Sequence, residues 1–263
     1  MKRDNQKGFT LVEIAIVLVV IGLLLGGILK GQQLINSARV RNLADQNSGV
    51  QAAYYGFIDR FRNLPGDMTP ANACTAVGTG VDAGGSCATP ANAPGGDGNG
   101  RIDTVAEAGS VWPHMSAAGF LTGTYSGQST GTTLLTAATY PNGVSLGAVP
   151  GNAFQGPILL AHTSDYWTTA GRSTVTRLGF SFGGNIPVPI LRDLDQKLDD
   201  GTASSGVMVS AANSASGAQA TFGPITDYVV GTAANCLNDN AAPAQDTWNV
   251  DSNNQTCNGI FLY

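Results

Sequence analysis

Residues 9–29 read FTLVEIAIVLVVIGLLLGGIL, and this stretch decides how the chain is organised. Its only charged side chain is Glu13, and its only other polar side chain is Thr10. As a helix that rises about 1.5 Å per residue, the stretch is roughly 31 Å long, enough to cross the hydrocarbon core of a bilayer. The sequence therefore predicts a membrane-spanning helix near the N-terminus.

Charge is distributed unevenly around this helix. Lys2, Arg3 and Lys7 outweigh Asp4, so residues 1–8 carry a net charge of +2. The positive-inside rule keeps these residues in the cytoplasm and places the remainder of the chain on the far side of the membrane. The whole chain carries −5, so the remainder carries −7. That balance is not typical of a nucleic-acid-binding protein, and we expect no nucleic-acid partner.

Two ordinary explanations of the apolar stretch fit it poorly. A cleaved secretory signal peptide would have a shorter apolar region that ends in small residues, whereas residues 29–33 read LKGQQ. A plain membrane anchor leaves Glu13 unexplained, because a carboxylate within a membrane span is costly. The position of Glu13 therefore calls for a functional account.

Residues 7–13, KGFTLVE, resemble the processing signal of type IV prepilins and of type II secretion pseudopilins. The shared features are a short basic leader, then Gly8, the aromatic Phe9, and the residues TLVE at 10–13 that continue into the apolar helix. The resemblance implies that a prepilin peptidase cleaves after Gly8 and that the new amine of Phe9 is methylated. It also implies that Glu13 pairs with the Phe9 amine of a neighbouring subunit during assembly. The physics agrees, since a carboxylate in an apolar bundle needs a charged partner.

The helical pattern continues well beyond the membrane. No proline occurs between Phe9 and Leu64, and the pair Pro65-Gly66 then predicts a stop. An apolar stripe at helical spacing runs along the second half: Val50, Tyr54, Phe57, Ile58 and Phe61. We therefore predict a leader over 1–8, a membrane and stem helix over 9–64, roughly 80 Å long, and a globular head over 65–263. So long a helix suggests a stem that packs against copies of itself.

The head shows mixed signals. Residues 65–110 are rich in Gly, Ala, Pro and Asn, which predicts a long ordered loop or small subdomain. Alternating apolar residues at 178, 180 and 182 predict a half-buried strand, and 189–198 predict one short helix. Further strands are predicted at 157–162, 206–210, 225–230 and 260–263. The predicted fold is α+β, pilin-like: a long N-terminal hydrophobic helix packed on an antiparallel β-sheet head with long loops.

Three segments of the head resemble recurrent pieces of pilin-like sequences. They are LPGDM at 64–68, a stretch from GDGNG at 96–100 to AGFL at 118–121, and LDQKLDDG at 194–201. The second stretch contains Glu107, Trp112 and His114. The resemblance supports the family and assigns no role to these residues.

The four cysteines form two local pairs in the sequence, Cys74 with Cys87 and Cys236 with Cys257. No C-x-x-C spacing is present, so a zinc site is not indicated. An even number of cysteines behind a membrane-targeting segment favours disulfides formed in an oxidising compartment. We predict two local disulfides, the second of which resembles the C-terminal loop disulfide of many pilins. Four unrelated buried thiols are the alternative.

A glycine-rich acidic loop is a candidate cation site. Asp97, Asn99 and Asp103 occupy positions 1, 3 and 7, and the Arg101 carbonyl lies between them, as at the start of an EF-hand loop. Glu107 falls at position 11, whereas an EF-hand has its bidentate glutamate at position 12. A polar turn in which Asp and Asn bond their own backbone is the alternative to calcium. No other cofactor is predicted.

One motif suggests catalysis, but its context does not. Residues 179–183 match G-x-S-x-G, which marks a nucleophile only where a helix follows directly and a histidine comes later in the chain. The following residues read GNIP, and both histidines, His114 and His162, precede Ser181. We therefore expect a strand here and no enzymatic activity.

Three functions share the N-terminal pattern. The first is a structural subunit of a type IV pilus-like filament. The second is a pseudopilin of a type II secretion system, and the third is an adhesin or DNA-uptake tip protein on a pilin anchor. The implied partners are copies of itself and other pilins, the prepilin peptidase and an inner-membrane assembly platform. The implied location is the inner membrane with the head on the periplasmic or outer side, then an extracellular pilus or a periplasmic pseudopilus.

Overall fold

The computed structural model describes residues 10–81, 87, 94–130, 133–134, 147–164, 166–169, 171–173, 175–211, 236–238, 246–251 and 257–263. Four α-helices lie in these ranges: α1 (Leu11–Phe61), α2 (Pro70–Ala76), α3 (Val105–Ala117) and α4 (Val188–Leu198). The strands are β1 (Gln128–Thr130), β2 (Thr133–Leu134), β3 (Leu159–Thr163), β4 (Trp167–Thr168), β5 (Gly171–Arg172), β6 (Arg177–Ser181), β7 (Met208–Ser210), β8 (Leu237–Asn238), β9 (Thr247–Trp248) and β10 (Gly259–Leu262).

Contacts divide the chain into two units, residues 1–39 and residues 40–263, and α1 contributes to both. Within the first unit, residues 10–39 are exposed throughout, apart from a half-exposed Gly31. This part of α1 is long and apolar enough to cross a membrane. The length and composition thus agree with the predicted N-terminal span.

The helix ends at Phe61, three residues before the predicted end at Leu64. Arg62 adopts a left-handed backbone conformation (φ 55°), which a helix cannot continue through. The Arg62 amide still donates to the carbonyl of Ile58, at 2.8 Å, and so closes the last turn. The proline-glycine pair therefore follows the end of the helix and does not itself cause it.

In the second unit, the predicted stripe on α1 faces the core. Val50, Tyr54 and Phe57 are buried, and Ile58 and Phe61 are half-buried. The buried face begins earlier than predicted and includes further residues: Val40, Leu43, Ala44, Asn47 and Ala53. This face and the sheet belong to a single hydrophobic core.

The main sheet has four antiparallel strands in the order β3-β6-β10-β7. Three of the predicted strand regions, 157–162, 206–210 and 260–263, overlap β3, β7 and β10. The prediction at 225–230 falls outside the described residues. The antiparallel sheet and the long apolar helix confirm the α+β, pilin-like architecture.

Strand β6 differs from its prediction in one respect. The alternation predicts a half-buried strand, but Phe180 and Ser181 are both fully buried. Because β6 lies between β3 and β10, Ser181 is flanked by Leu159 on one side and Ile260 on the other. Alternating residue types therefore indicated the pleat correctly but not the burial of the polar face.

The glycine-rich region contains more helix than its composition suggests. Thr104 and Glu107 form a reciprocal capping box that starts α3, and Pro113 lies inside that helix. Thr69 caps α2, whose first residue is Pro70. Helix α4 agrees closely with the prediction, with Ile190, Leu191 and Leu194 buried.

Candidate functional site

Glu13 lies in the first turn of α1, where it bonds to Thr10 of its own chain. Its Oε2 accepts from the Thr10 amide at 2.8 Å and from the Thr10 hydroxyl at 2.9 Å. In return, the Glu13 amide donates to Thr10 Oγ1 at 3.3 Å. This is a capping box, which satisfies two of the free donors at the helix start. The carboxylate therefore has a local partner before any assembly, and its pairing with a neighbour's amine stays a prediction.

The other two residues of the processing site, Gly8 and Phe9, lie outside the described residues. Cleavage after Gly8 and methylation of Phe9 thus stay predictions from the sequence. Thr10, the first described residue, precedes the helix directly.

Both cysteine pairs are disulfide-bonded in the head. Cys74 bonds to Cys87, and Cys236 bonds to Cys257. These are the two local pairs that the sequence predicts. Cys257 also bridges by backbone to Ile186, so the second disulfide connects the chain around residue 236 to the buried segment between β6 and α4.

Asp67, which lies outside the predicted set of calcium ligands, organises the predicted cation loop. Its Oδ1 accepts from the amides of Gly98 and Asn99, both at 3.0 Å, and its Oδ2 accepts from the amide of Gly100 at 2.8 Å. The Asp67 residue is buried, at 5 % exposure. A buried carboxylate is tolerated because charge-assisted bonds replace its hydration.

Glu107 holds the other side of the same loop. Its Oε2 accepts from the amides of Asp103 and Thr104 at 2.8 and 2.9 Å, and its Oε1 accepts from that of Asp97 at 3.3 Å. Burial raises the pKa of Glu107, and the backbone donors oppose that rise. The loop packs closely against the Glu107 side chain, since a Cβ on Gly96 would lie 2.6 Å from Glu107 Oε1.

The predicted calcium ligands come together only in part. One carboxylate oxygen each from Asp67, Asp97 and Glu107 lie within 4.8 Å of one another, a group of acidic residues that could hold a cation. Asp103 does not belong to this group. Asp97 Oδ1 accepts from the Asn99 amide at 2.9 Å, which is the local turn considered as the alternative.

The second half of the loop shows the same local bonding. Asn99 Oδ1 accepts from the amide of Arg101 at 2.8 Å. The bonds of Asp97 and Asn99 account for the shape of the loop without an ion, and calcium there stays a prediction.

His114 joins this loop to the end of α1. Its Nδ1 accepts from the Gly66 amide at 3.0 Å, so its Nε2 carries the proton that bonds the Pro94 carbonyl at 2.9 Å. The ring is fully buried and stacks near Phe57. Burial lowers the pKa of His114 to about 4, so the imidazole is neutral at pH 7. His162 has a related role, since its Nδ1 accepts from the Ile102 amide.

Ser181 lies in the core of the sheet. Its Oγ accepts from Asn258 Nδ2 at 2.7 Å and from the Gly183 amide at 3.3 Å. The residue is fully buried at the end of β6. The hydroxyl therefore links β6 to the segment that enters β10.

A second acidic group, also absent from the sequence prediction, lies at the C-terminal end of α4. One carboxylate oxygen from each of Asp195, Asp199 and Asp200 lie within 4.8 Å of one another. Asp195 is fully buried and accepts from Trp248 Nε1 at 2.7 Å, whereas Asp199 and Asp200 are exposed. The three residues belong to the LDQKLDDG segment at 194–201, which resembles pilin-like sequences but whose residues had no predicted role.

Residues 3–29 match the family model of the prokaryotic N-terminal methylation motif. This motif is the signal of type IV pilins and pseudopilins, and it does not separate one from the other. The chain therefore carries a type IV pilin or pseudopilin signal, and the matched residues include the start of α1. No curated protein and no solved structure matches the chain.

Proposed function

We propose that this protein is a structural subunit of a type IV pilus-like filament, processed by prepilin peptidase and assembled through α1. The observation that carries the proposal is the methylation motif at 3–29, which includes the start of α1, together with the exposure of the apolar side chains of this helix as far as residue 39. Leu11 is 91 % exposed and Leu23 is 73 % exposed. Surface of this kind requires cover, first by lipid and then by the helices of neighbouring subunits.

The head supports a structural role. Two disulfides, a single core and the loop bonded to Asp67 and Glu107 stabilise the head. Disulfides form and persist in an oxidising compartment, which agrees with a head outside the cytoplasm. In this proposal the buried Ser181 stabilises the sheet through its hydrogen bonds to Gly183 and Asn258, and it has no catalytic role. The head would form the outer surface of the filament.

Processing tests the proposal most directly. Co-expression of the full chain with a prepilin peptidase should yield a mature protein that begins at methylated Phe9, which mass spectrometry of the N-terminus would show. Gly8→Leu should leave only the precursor, because a bulky side chain blocks the cleavage site, whereas Lys7→Arg retains the charge and should be processed normally. A mature N-terminus elsewhere in or beyond the apolar run would rule out the pilin function.

A pseudopilin of a type II secretion system is the second candidate, because the same motif serves both classes. The two differ in what is seen on cells. Long surface fibres labelled by an antibody to the head favour the pilus subunit, whereas loss of secreted proteins without surface fibres favours the pseudopilin. A head found only at fibre tips would favour an adhesin or DNA-uptake protein.

A further inference from the structure

We infer that the C-terminal end of α4 holds a calcium ion, bound by the carboxylates of Asp195, Asp199 and Asp200. Two independent observations meet here. The first is the grouping itself, with one oxygen from each carboxylate within 4.8 Å of the others. The second is a fully buried carboxylate with an oxygen that lacks a partner.

That second observation concerns Asp195. Its Oδ2 accepts from the Trp248 indole, but its Oδ1 is buried and makes no hydrogen bond. An unpartnered carboxylate oxygen away from water costs free energy unless a proton or a cation satisfies it.

The surrounding charges leave the group without a cation from the protein. Among the described residues, none of the three carboxylates forms an ion pair with Lys or Arg. Lys197 lies in the last turn of α4 but forms no ion pair with these carboxylates, and Arg192 bonds to Asp193 at 2.7 Å. The C-terminal end of a helix carries a partial negative charge, so acidic residues there repel the helix dipole. A bound cation would reverse this unfavourable arrangement.

The loop after α4 fixes the two exposed carboxylates in place. Asp199 Oδ2 accepts from the amides of Val207 and Met208, and Asp200 accepts from the Thr202 amide and the Ser205 hydroxyl. The first pair of bonds requires Gly206, since a Cβ there would collide with the Asp199 carboxylate. Side chains held this way lose little further entropy on binding an ion.

The donor set selects calcium over magnesium. All three side chains offer hard oxygen ligands, and calcium accepts irregular geometry with six to eight oxygens, some of them from water. Magnesium dehydrates reluctantly and requires near-octahedral geometry, which suits a partly buried group less well. Calcium sites of extracellular modules bind with dissociation constants of about 10⁻⁴ to 10⁻³ M, the range expected here.

The position of Trp248 provides a specific probe. Its indole nitrogen lies 2.7 Å from Asp195 Oδ2, so a Tb³⁺ ion on Asp195 would be close enough to be excited through this tryptophan. We expect the full-length protein in detergent to show tryptophan-sensitised Tb³⁺ emission, displaced by millimolar Ca²⁺ and more weakly by Mg²⁺. Trp248→Phe should remove most of this emission while the calcium-dependent rise in Tm remains.

Matched variants locate the site. Asp200→Asn keeps the acceptor for Thr202 but removes a charge, and it should weaken calcium binding about tenfold or more. Asp195→Asn keeps an acceptor for Trp248, so it should fold, raise the metal-free Tm and abolish the calcium-dependent shift. Asp193→Asn, on the exposed face of the same helix, and Asp97→Asn, in the other acidic loop, should leave the Trp248-sensitised signal unchanged.

The result that overturns the inference is equally clear. If calcium neither displaces the Tb³⁺ emission nor raises the Tm of the wild-type protein, the site does not exist. The same conclusion follows if Asp195→Asn and Asp200→Asn respond to calcium as the wild type does, because the ion would then bind elsewhere.

Discussion

Glu13 caps the start of α1, and it is also predicted to pair with a neighbouring subunit; the choice of substitution can distinguish the two roles. Glutamine at this position keeps a capping box but carries no charge, whereas alanine removes both. If pairing with a neighbour's ammonium drives assembly, Glu13→Gln and Glu13→Ala should both reduce filament yield at least about tenfold, because the charge is lost in each. The amount of pelleted filament relative to membrane-bound subunit would be measured. Normal filaments from Glu13→Gln would show that helix capping alone explains the residue.

The buried His114 makes the stability of the head depend on pH. Its pKa is about 4 in the folded chain and 6.5 in the unfolded chain, so between these values only the unfolded chain binds the proton. The contribution of His114 to stability should therefore be fully present above pH 6.5 and be lost by about 3 kcal/mol as the pH drops to 4. Burial raises the pKa of Asp195 to about 6, so this carboxyl contributes with the opposite sign, and the His114 contribution is measured as the difference from a His114 variant. Denaturant unfolding of the full chain in detergent, followed by tryptophan fluorescence, would measure this.

His162 provides the control for that measurement. Burial lowers its pKa as well, so it contributes loss of stability on acidification with the same sign. His162→Gln is therefore the proper background. In the His162→Gln background, His114→Leu should be less stable at pH 7, because the Gly66 amide and the Pro94 carbonyl lose their partner. Its free energy of unfolding should also depend much less on pH. An unchanged dependence of the free energy of unfolding on pH would contradict a neutral, buried imidazole at His114.

The acidic loop before α3 is an element held by carboxylates and not by an apolar core of its own. Asp67→Ala should destabilise the head by about 3 kcal/mol or more, because three backbone donors lose charge-assisted bonds. Asp97→Ala should cost less than about 1 kcal/mol, since Asp97 is exposed and its bonds are local to the turn. Chemical denaturation of both variants compares the two values. Equal losses would mean that Asp67 does not organise the loop.

For the head as a whole, the Cys236–Cys257 disulfide should be the larger of the two covalent contributions. It spans 21 residues, whereas Cys74–Cys87 spans 13, and the entropy removed from the unfolded chain grows with loop length. Replacing both Cys236 and Cys257 by serine should cost on the order of 3 kcal/mol. Thermal unfolding of this double variant, beside the Cys74/Cys87 double variant, tests the order. A greater loss from the shorter loop would contradict it.

The sequence by itself determined the parts of this protein that depend on local pattern. Composition and periodicity are properties of neighbouring residues, so α1 and α4, the four strand regions of the main sheet and both disulfide pairs could be predicted. The KGFTLVE motif at 7–13 likewise can be recognised from consecutive residues without knowledge of the fold. The C-terminal end of α1 could not be predicted as well, because Arg62 ends the helix through a left-handed backbone conformation that the residue types there do not indicate.

Only the tertiary structure decided which polar groups meet. Asp67 lies 31 residues from Gly98 along the chain, and Asp195 lies 53 residues from Trp248. Nothing in the local sequence around either aspartate indicates its partner, because the loop and the sheet must fold before the pairs exist. The same holds for Ser181, whose burial comes from the strands on both sides of β6. Local periodicity thus specified the elements, whereas long-range packing selected the acidic groups and gave each its environment.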